Sequence, residues 1–196
     1  MKGPLNLFVE NNPNPKGNRR FLLNMLPKGS VGAEIGVAVG NFSSAILTVV
    51  RPSKLYLVDP FYYEDGQHAK NRFYGGKAGS QESMDTIHDF VCARFMSEEA
   101  VEIRRQKSVE FLREIPDNTL DWIYIDGDHD YLPCKTDILM SIPKVKVGGI
   151  IAGDDMNWGE EHGFPVRQAV DEIDKSEGRL GLTVIKHGQF VFERLV

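Results

Sequence analysis

The chain has 196 residues, of which 41% are hydrophobic and 26% charged, and 28 acidic residues against 23 Lys plus Arg give a formal net charge of -5. That composition describes one globular domain of ordinary size with a real core, and not a disordered chain. The acid excess argues against a protein built to coat nucleic acid, whose phosphate contacts need a basic surface. No apolar run approaches the ~20 residues of a membrane helix, so no membrane partner is expected. The opening stretch MKGPLNLFVENNPNPKG has no apolar signal-peptide core. The two cysteines, Cys92 and Cys134, form neither a CxxC nor a zinc pattern, so reduced thiols and a cytoplasmic location are expected.

Residues 11–18 (NNPNPKGN) cannot hold a helix and read as a tether before a short helix over 19–26, which Pro27 and Gly29 end. Residues 1–30 are therefore a tether and helix, and the domain proper runs over 31–196. From Val31 onward short apolar runs close on Gly or Asp: VGAEIG (31–36), KLYLVD (54–59), AVEIRR (100–105), DWIYID (121–126) and VGGIIAGDD (147–155). Hydrophobicity that is continuous rather than alternating predicts strands buried on both faces, as in a parallel sheet. Helices are expected between them, over 43–50 (capped by Asn41 or Ser43), around Met84, Ile87, Val91 and Phe95, and over 108–115, 131–142 and 167–175. This alternation predicts a doubly wound, Rossmann-like α/β sheet.

The end of the sequence breaks the alternation. LTVIK (182–186) and QFVFERL (189–195) are separated only by His187 and Gly188. A link that short forces an antiparallel hairpin, because a parallel return needs a dozen residues or more. A dehydrogenase-type domain would stay parallel here. A second irregular feature is the glycine- and aromatic-rich segment 61–81, which leaves the carboxyl end of the second strand and reads as a lid over a ligand.

Three groups of residues carry chemistry. In AEIGVAVGNFSSAIL (33–47), Gly36 and Gly40 flank the turn from the first strand to the first helix, and Glu34 precedes both. A pyrophosphate would be repelled by that carboxylate, whereas a cationic ligand or an amine would not. Asp59, at the tip of the second strand, is placed to accept hydrogen bonds from ribose hydroxyls, and Phe61 could pack on an adenine face. At the tips of strands four and five stand Asp126, Asp128, His129 and Asp130, then Asp154 and Asp155. Converging carboxylates repel one another and favour a divalent cation, and all-oxygen donors suit Mg²⁺, Ca²⁺ or Mn²⁺. The plainer alternative is that Asp126 touches substrate or cofactor and the others are turn acids.

With these residues the chain resembles the class I S-adenosylmethionine-dependent methyltransferases over 31–196. The resemblance implies a seven-stranded sheet in the order 3-2-1-4-5-7-6. It implies that Glu34, Gly36 and Gly40 cradle the methionine part of the cofactor, that Asp59 holds the ribose, and that Ser108 lies near the adenine. Asp126, Asp154 and Asp155 match the Asp and Asp-Asn positions of metal-dependent O-methyltransferases of the catechol and caffeoyl-coenzyme A type, with Asp in place of Asn. The DGDH stretch is closer to the macrocin- and mycinamicin-type sugar O-methyltransferases, which place a histidine base three residues after the metal Asp, as His129 stands here.

The expected reaction follows. A metal held by Asp126, Asp154 and Asp155 lowers the pKa of an acceptor hydroxyl, and His129 removes its proton. Trp158 and His162, after strand five, could line the acceptor pocket. The expected partner is a small-molecule hydroxyl acceptor, a sugar or a phenolic, with a homo-oligomer possible. A noncatalytic protein that binds the same cofactor is the alternative from another class. An NAD-linked oxidoreductase is disfavoured by Glu34, the glycine spacing and the hairpin.

Overall fold

The computed structural model describes residues 19–64 and 79–196. The tether over 1–18 and most of the expected lid, 65–78, lie outside the described residues. The elements in chain order are α1 (Arg20–Met25), β1 (Val31–Ile35), α2 (Asn41–Val49), β2 (Lys54–Val58), α3 (Gln81–Phe95), β3 (Val101–Arg104) and α4 (Ser108–Glu114). They continue with β4 (Leu120–Ile125), α5 (Tyr131–Ser141), β5 (Val145–Gly153), α6 (Pro165–Ser176), β6 (Leu180–Lys186) and β7 (Gln189–Arg194). One 3-10 turn, Glu160–His162, lies between β5 and α6.

The strands form one sheet in the order β3-β2-β1-β4-β5-β7-β6. The first five run parallel, and β7 pairs antiparallel with both β5 and β6. This is the expected Rossmann-like architecture. The two-residue turn is the reason for the reversal: His187 (φ 54) and Gly188 (φ 82) both adopt the left-handed backbone that twisted hairpins require.

Alternate side chains of the central strands point to opposite faces. Trp122 and Tyr124 join Leu22, Phe42, Ile46, Met84, Ile87 and Val91, so α1, α2 and α3 cover that face. Ile123 and Ile125 join Phe111, Ile138, Val166, Val170 and Phe192, so α4, α5 and α6 cover the other. Each fully buried large apolar side chain contributes roughly 2–3 kcal/mol through water exclusion. Gly32 fits this packing for a steric reason, since a Cβ there would lie 2.1 Å from the Trp122 indole. The Trp122 Nε1–H donates to Ser30 Oγ at 2.7 Å, so the buried indole keeps its polar partner.

Four local expectations change. Helix α2 is capped by Gly40 in left-handed conformation (φ 75) and by neither Asn41 nor Ser43, because the Ser43 hydroxyl is used elsewhere. Phe61 is fully buried in the core, edge-on to His88 at 5.1 Å, rather than offered to an adenine. Helix α6 begins before the expected 167, at Pro165, whose fixed φ suits a first helical turn. The first half of β5 is largely exposed beside a register shift between Leu120 and Trp122. Cys92 and Cys134 are free thiols, half-buried and buried. Among the described residues no helix is long and apolar enough to cross a membrane.

Candidate functional site

Strand register places the chemistry. Ile35 pairs with both Val58 and Ile125, and Ile125 pairs with Gly153. The residues that follow this row, Gly36, Asp59, Asp126 and Asp154, therefore leave the sheet at one level on its carboxyl edge. This edge is where open α/β sheets bind ligands.

The glycine loop is held from two sides. Gly36 (φ +87) lies so close to the fourth-strand tip that a Cβ would sit 2.0 Å from the Asp126 carbonyl oxygen. Its smallness therefore serves contact with the Asp126 backbone. Gly40 (φ +75) faces the Phe95 ring, which a Cβ would meet at 2.5 Å. Asp59 is fully buried at the tip of β2. Its Oδ2 accepts from the Val37 and Ala38 amides (2.9 and 3.2 Å), and its Oδ1 from the Phe61 amide (2.8 Å). Here Asp59 shapes the loop directly. Arg94 braces the outer side, its Nη1 donating to the Val39 carbonyl at 2.7 Å and to Asn41 Oδ1 at 2.9 Å.

Glu34 is buried under this loop, and Ser43 Oγ donates to its Oε2 at 2.5 Å. Burial pushes its carboxyl up to about 8, the Ser43 hydrogen bond opposing and the Asp126 charge adding to the rise. Glu34 is thus mainly a neutral acid at pH 7. Ser108 begins α4 and donates to Asp137 Oδ1 of α5 at 2.7 Å, so its hydroxyl clasps two helices together.

The acids divide into two groups. His129 Nε2 lies 3.0 Å from Asp155 Oδ2 and 3.5 Å from Asp126 Oδ1, with hydrogen-bond geometry to neither. One donor atom each from Asp126, His129 and Asp155 falls within 4.8 Å of the others. An imidazole nitrogen and two carboxylates converging in this way fit a divalent cation. Asp154 is not in that group. Its carboxylate pairs with Arg19 Nη2, while Arg19 Nη1 donates to Asp126 Oδ2 at 2.9 Å. Asp128 accepts from the Asp130 amide at 3.0 Å.

The charges explain the titration. Burial would lower the His129 pKa, but Asp126 and Asp155 outweigh it and raise the ring to about 9. Burial and its carboxylate neighbours push Asp155 up to about 7 against the pull of His129. Burial also acts to raise Asp126, but Arg19 and His129 hold it below the usual carboxylate range.

Beside this cluster lies an open cleft of about 320 Å³ lined by Asp154, Asp155, Asn157, Trp158, His187 and Gly188. The Trp158 ring stands edge-on to His129 at 5.3 Å. The Met156 amide donates to the Gly188 carbonyl at 2.9 Å, which ties the loop after β5 to the hairpin turn. Trp158 lines this cleft, whereas His162 stays largely in solvent and 6.3 Å from Trp158. Arg19 is the participant that sequence reasoning missed. It lies 107 residues from Asp126, and nothing in a short apolar helix signals its pairing.

A family model described as a methyltransferase domain matches residues 33–156. No curated protein gives a significant match. Several solved structures share the fold. One is a proposed caffeoyl-CoA O-methyltransferase from Staphylococcus aureus (18% identity, TM-score 0.62, covering 97% of this chain and 90% of that one). Another is an SAM-dependent methyltransferase from Aquifex aeolicus (16%, 0.63, 100% of both chains). A third is a proposed rRNA methylase from Clostridium thermocellum (11%, 0.63, 100% and 99%). At these identities the likeness is one of fold, and only the first and third names give an acceptor, a different one in each. The family match, by contrast, covers the glycine loop, the β2 acid and the strand-four and strand-five acids together, and the chain belongs to the methyltransferase domain family.

Proposed function

We propose that this chain is an S-adenosylmethionine-dependent O-methyltransferase that acts on a hydroxyl of a small molecule, a sugar or a phenolic, with a divalent metal and His129 as general base. The observation that carries the reading is the convergence of Asp126, His129 and Asp155 on the sheet edge that also bears the glycine loop. Helix α2 begins beside that loop with no side-chain cap on its amides. The start of that helix, with its positive dipole end, suits the carboxylate of the cofactor's amino-acid part. Glu34, Gly36, Gly40 and Asp59 would hold the cofactor, Asp59 through the loop shape it imposes.

The acceptor would enter the cleft between Trp158 and His187, whose volume suits a single ring. The Trp158 face would stack on the ring, and Asn157 would take a hydroxyl. His129 would receive the proton of the reacting hydroxyl. Its ring is protonated at neutral pH when the carboxylates face it alone, so it serves as a base only in its neutral form. A bound Mg²⁺ or Mn²⁺, held by Asp126 and Asp155, would supply charge that lowers the hydroxyl pKa. Positioning of hydroxyl against sulfonium supplies much of the remaining rate.

The test is calorimetric titration with S-adenosylhomocysteine, then methyl transfer to an acceptor panel with and without Mg²⁺. Micromolar cofactor binding is expected. The His129→Gln variant should keep that binding and lose transfer by about a hundredfold or more. Absence of cofactor binding would overturn the reading, and full turnover by the variant would remove His129 from it.

A further inference from the structure

We infer that Arg19 is the internal counter-cation of the acidic edge, competing with a divalent ion for Asp126 and keeping Asp154 out of the ligand set. The inference rests on the metal part of the function proposed above. An arginine at the start of a short helix is ordinarily solvated. This one is turned inward, with its side chain only 25% exposed. Its guanidinium carbon lies 5.2 Å from the Phe42 ring centre and 5.7 Å from that of Tyr124. Giving up hydration is costly unless the charge is paired, and Arg19 is paired on both arms, with Asp126 and Asp154.

The division of Asp126 is the central point. Its Oδ2 accepts from Arg19, while its Oδ1 faces His129. Any cation held by Asp126 and Asp155 therefore shares a carboxylate with a guanidinium already in place. Like charges that close oppose each other strongly in a half-buried site. The same fork holds the carboxylate of Asp154, which is not among the converging donors of Asp126, His129 and Asp155. Asp154 is then a positioning residue that orients Arg19, although it neighbours Asp155 in sequence.

The experiment is Mn²⁺ binding to the full chain, read by loss of the free-ion electron paramagnetic resonance signal, with folding checked by circular dichroism. Arg19→Gln should bind Mn²⁺ at least about tenfold more tightly than the wild type, because a repelling charge is gone. Arg19→Lys should stay near the wild type, because it keeps the charge. Asp154→Asn should remain within about fivefold of the wild type, and Asp126→Asn should lose binding by far more. Equal or weaker binding in Arg19→Gln would overturn the competition while leaving the metal intact. A loss in Asp154→Asn as large as in Asp126→Asn would make Asp154 a ligand and overturn its exclusion, even if the Arg19→Gln variant failed to fold. Binding by neither wild type nor any variant would overturn the metal reading and this inference with it.

Discussion

Glu34 offers a sharp test of the electrostatics beneath the glycine loop. Its carboxyl is buried and its pKa is pushed from 4.5 to about 8, chiefly by burial. A raised native pKa means that the folded state keeps a proton which the unfolded chain releases. Stability from this group is whole below pH 4.5, falls as pH rises, and stops falling near pH 8 where the native group itself ionises. Between pH 5 and pH 8 that is about three pH intervals at about 1.36 kcal/mol each, or about 4 kcal/mol as an upper figure. Relaxation around the charge makes about 2 kcal/mol a fair lower expectation. Glu34→Gln is nearly isosteric, can still accept from Ser43, and has no proton to lose. Urea unfolding of both proteins at pH 5 and pH 9 isolates the effect, because other titrating groups, including His129, are common to both. The stability difference should move in favour of Glu34→Gln by about 2–4 kcal/mol across that interval. Parallel pH profiles for the two proteins would refute the assignment of a buried, neutral Glu34.

Two further outcomes follow from single contacts. Asp59→Asn leaves three backbone amides facing one acceptor oxygen, at about 1–3 kcal/mol for each amide left unpaired. Calorimetry should show a melting temperature lower by at least about 4 °C, and S-adenosylhomocysteine affinity should fall about tenfold as the loop loses its shape. Ser108→Ala removes the α4–α5 clasp and should cost about 1–2 kcal/mol in urea unfolding while leaving cofactor affinity within about twofold. A large affinity loss at unchanged stability would instead give Ser108 the adenine contact that the family resemblance implies.

The parts of this molecule legible in its sequence are those encoded by neighbouring residues. Buried parallel strands announce themselves as continuous apolar runs, and the two residues between 186 and 189 admit only a hairpin. The acids that end β2, β4 and β5 were legible as a group because equivalent strand tips lie on one edge. What escaped depends on distant partners. Ser43 is an ordinary cap residue until Glu34, nine positions earlier, takes its hydroxyl. Phe61 has the composition of a ligand platform, but a left-handed turn (φ 44) directs it into the core. Asp154 and Asp155 are indistinguishable in the sequence. The Arg19 fork and the left-handed backbone of Asp155 (φ 66) send their carboxylates to different cations.

Strand β7 lies inside the sheet, between β5 and β6, although β6 precedes it in the chain. Assembly at this edge therefore cannot proceed strand by strand in the order of synthesis. Strand β6 finds no partner in the sheet until β7 is in place beside β5. The turn of their hairpin, through the Gly188 carbonyl, also holds the Met156 amide beside the acids. The wall of the cleft thus matures in the same event that closes the sheet. A chain in which the hairpin is not docked lacks the His187 and Gly188 side of that cleft.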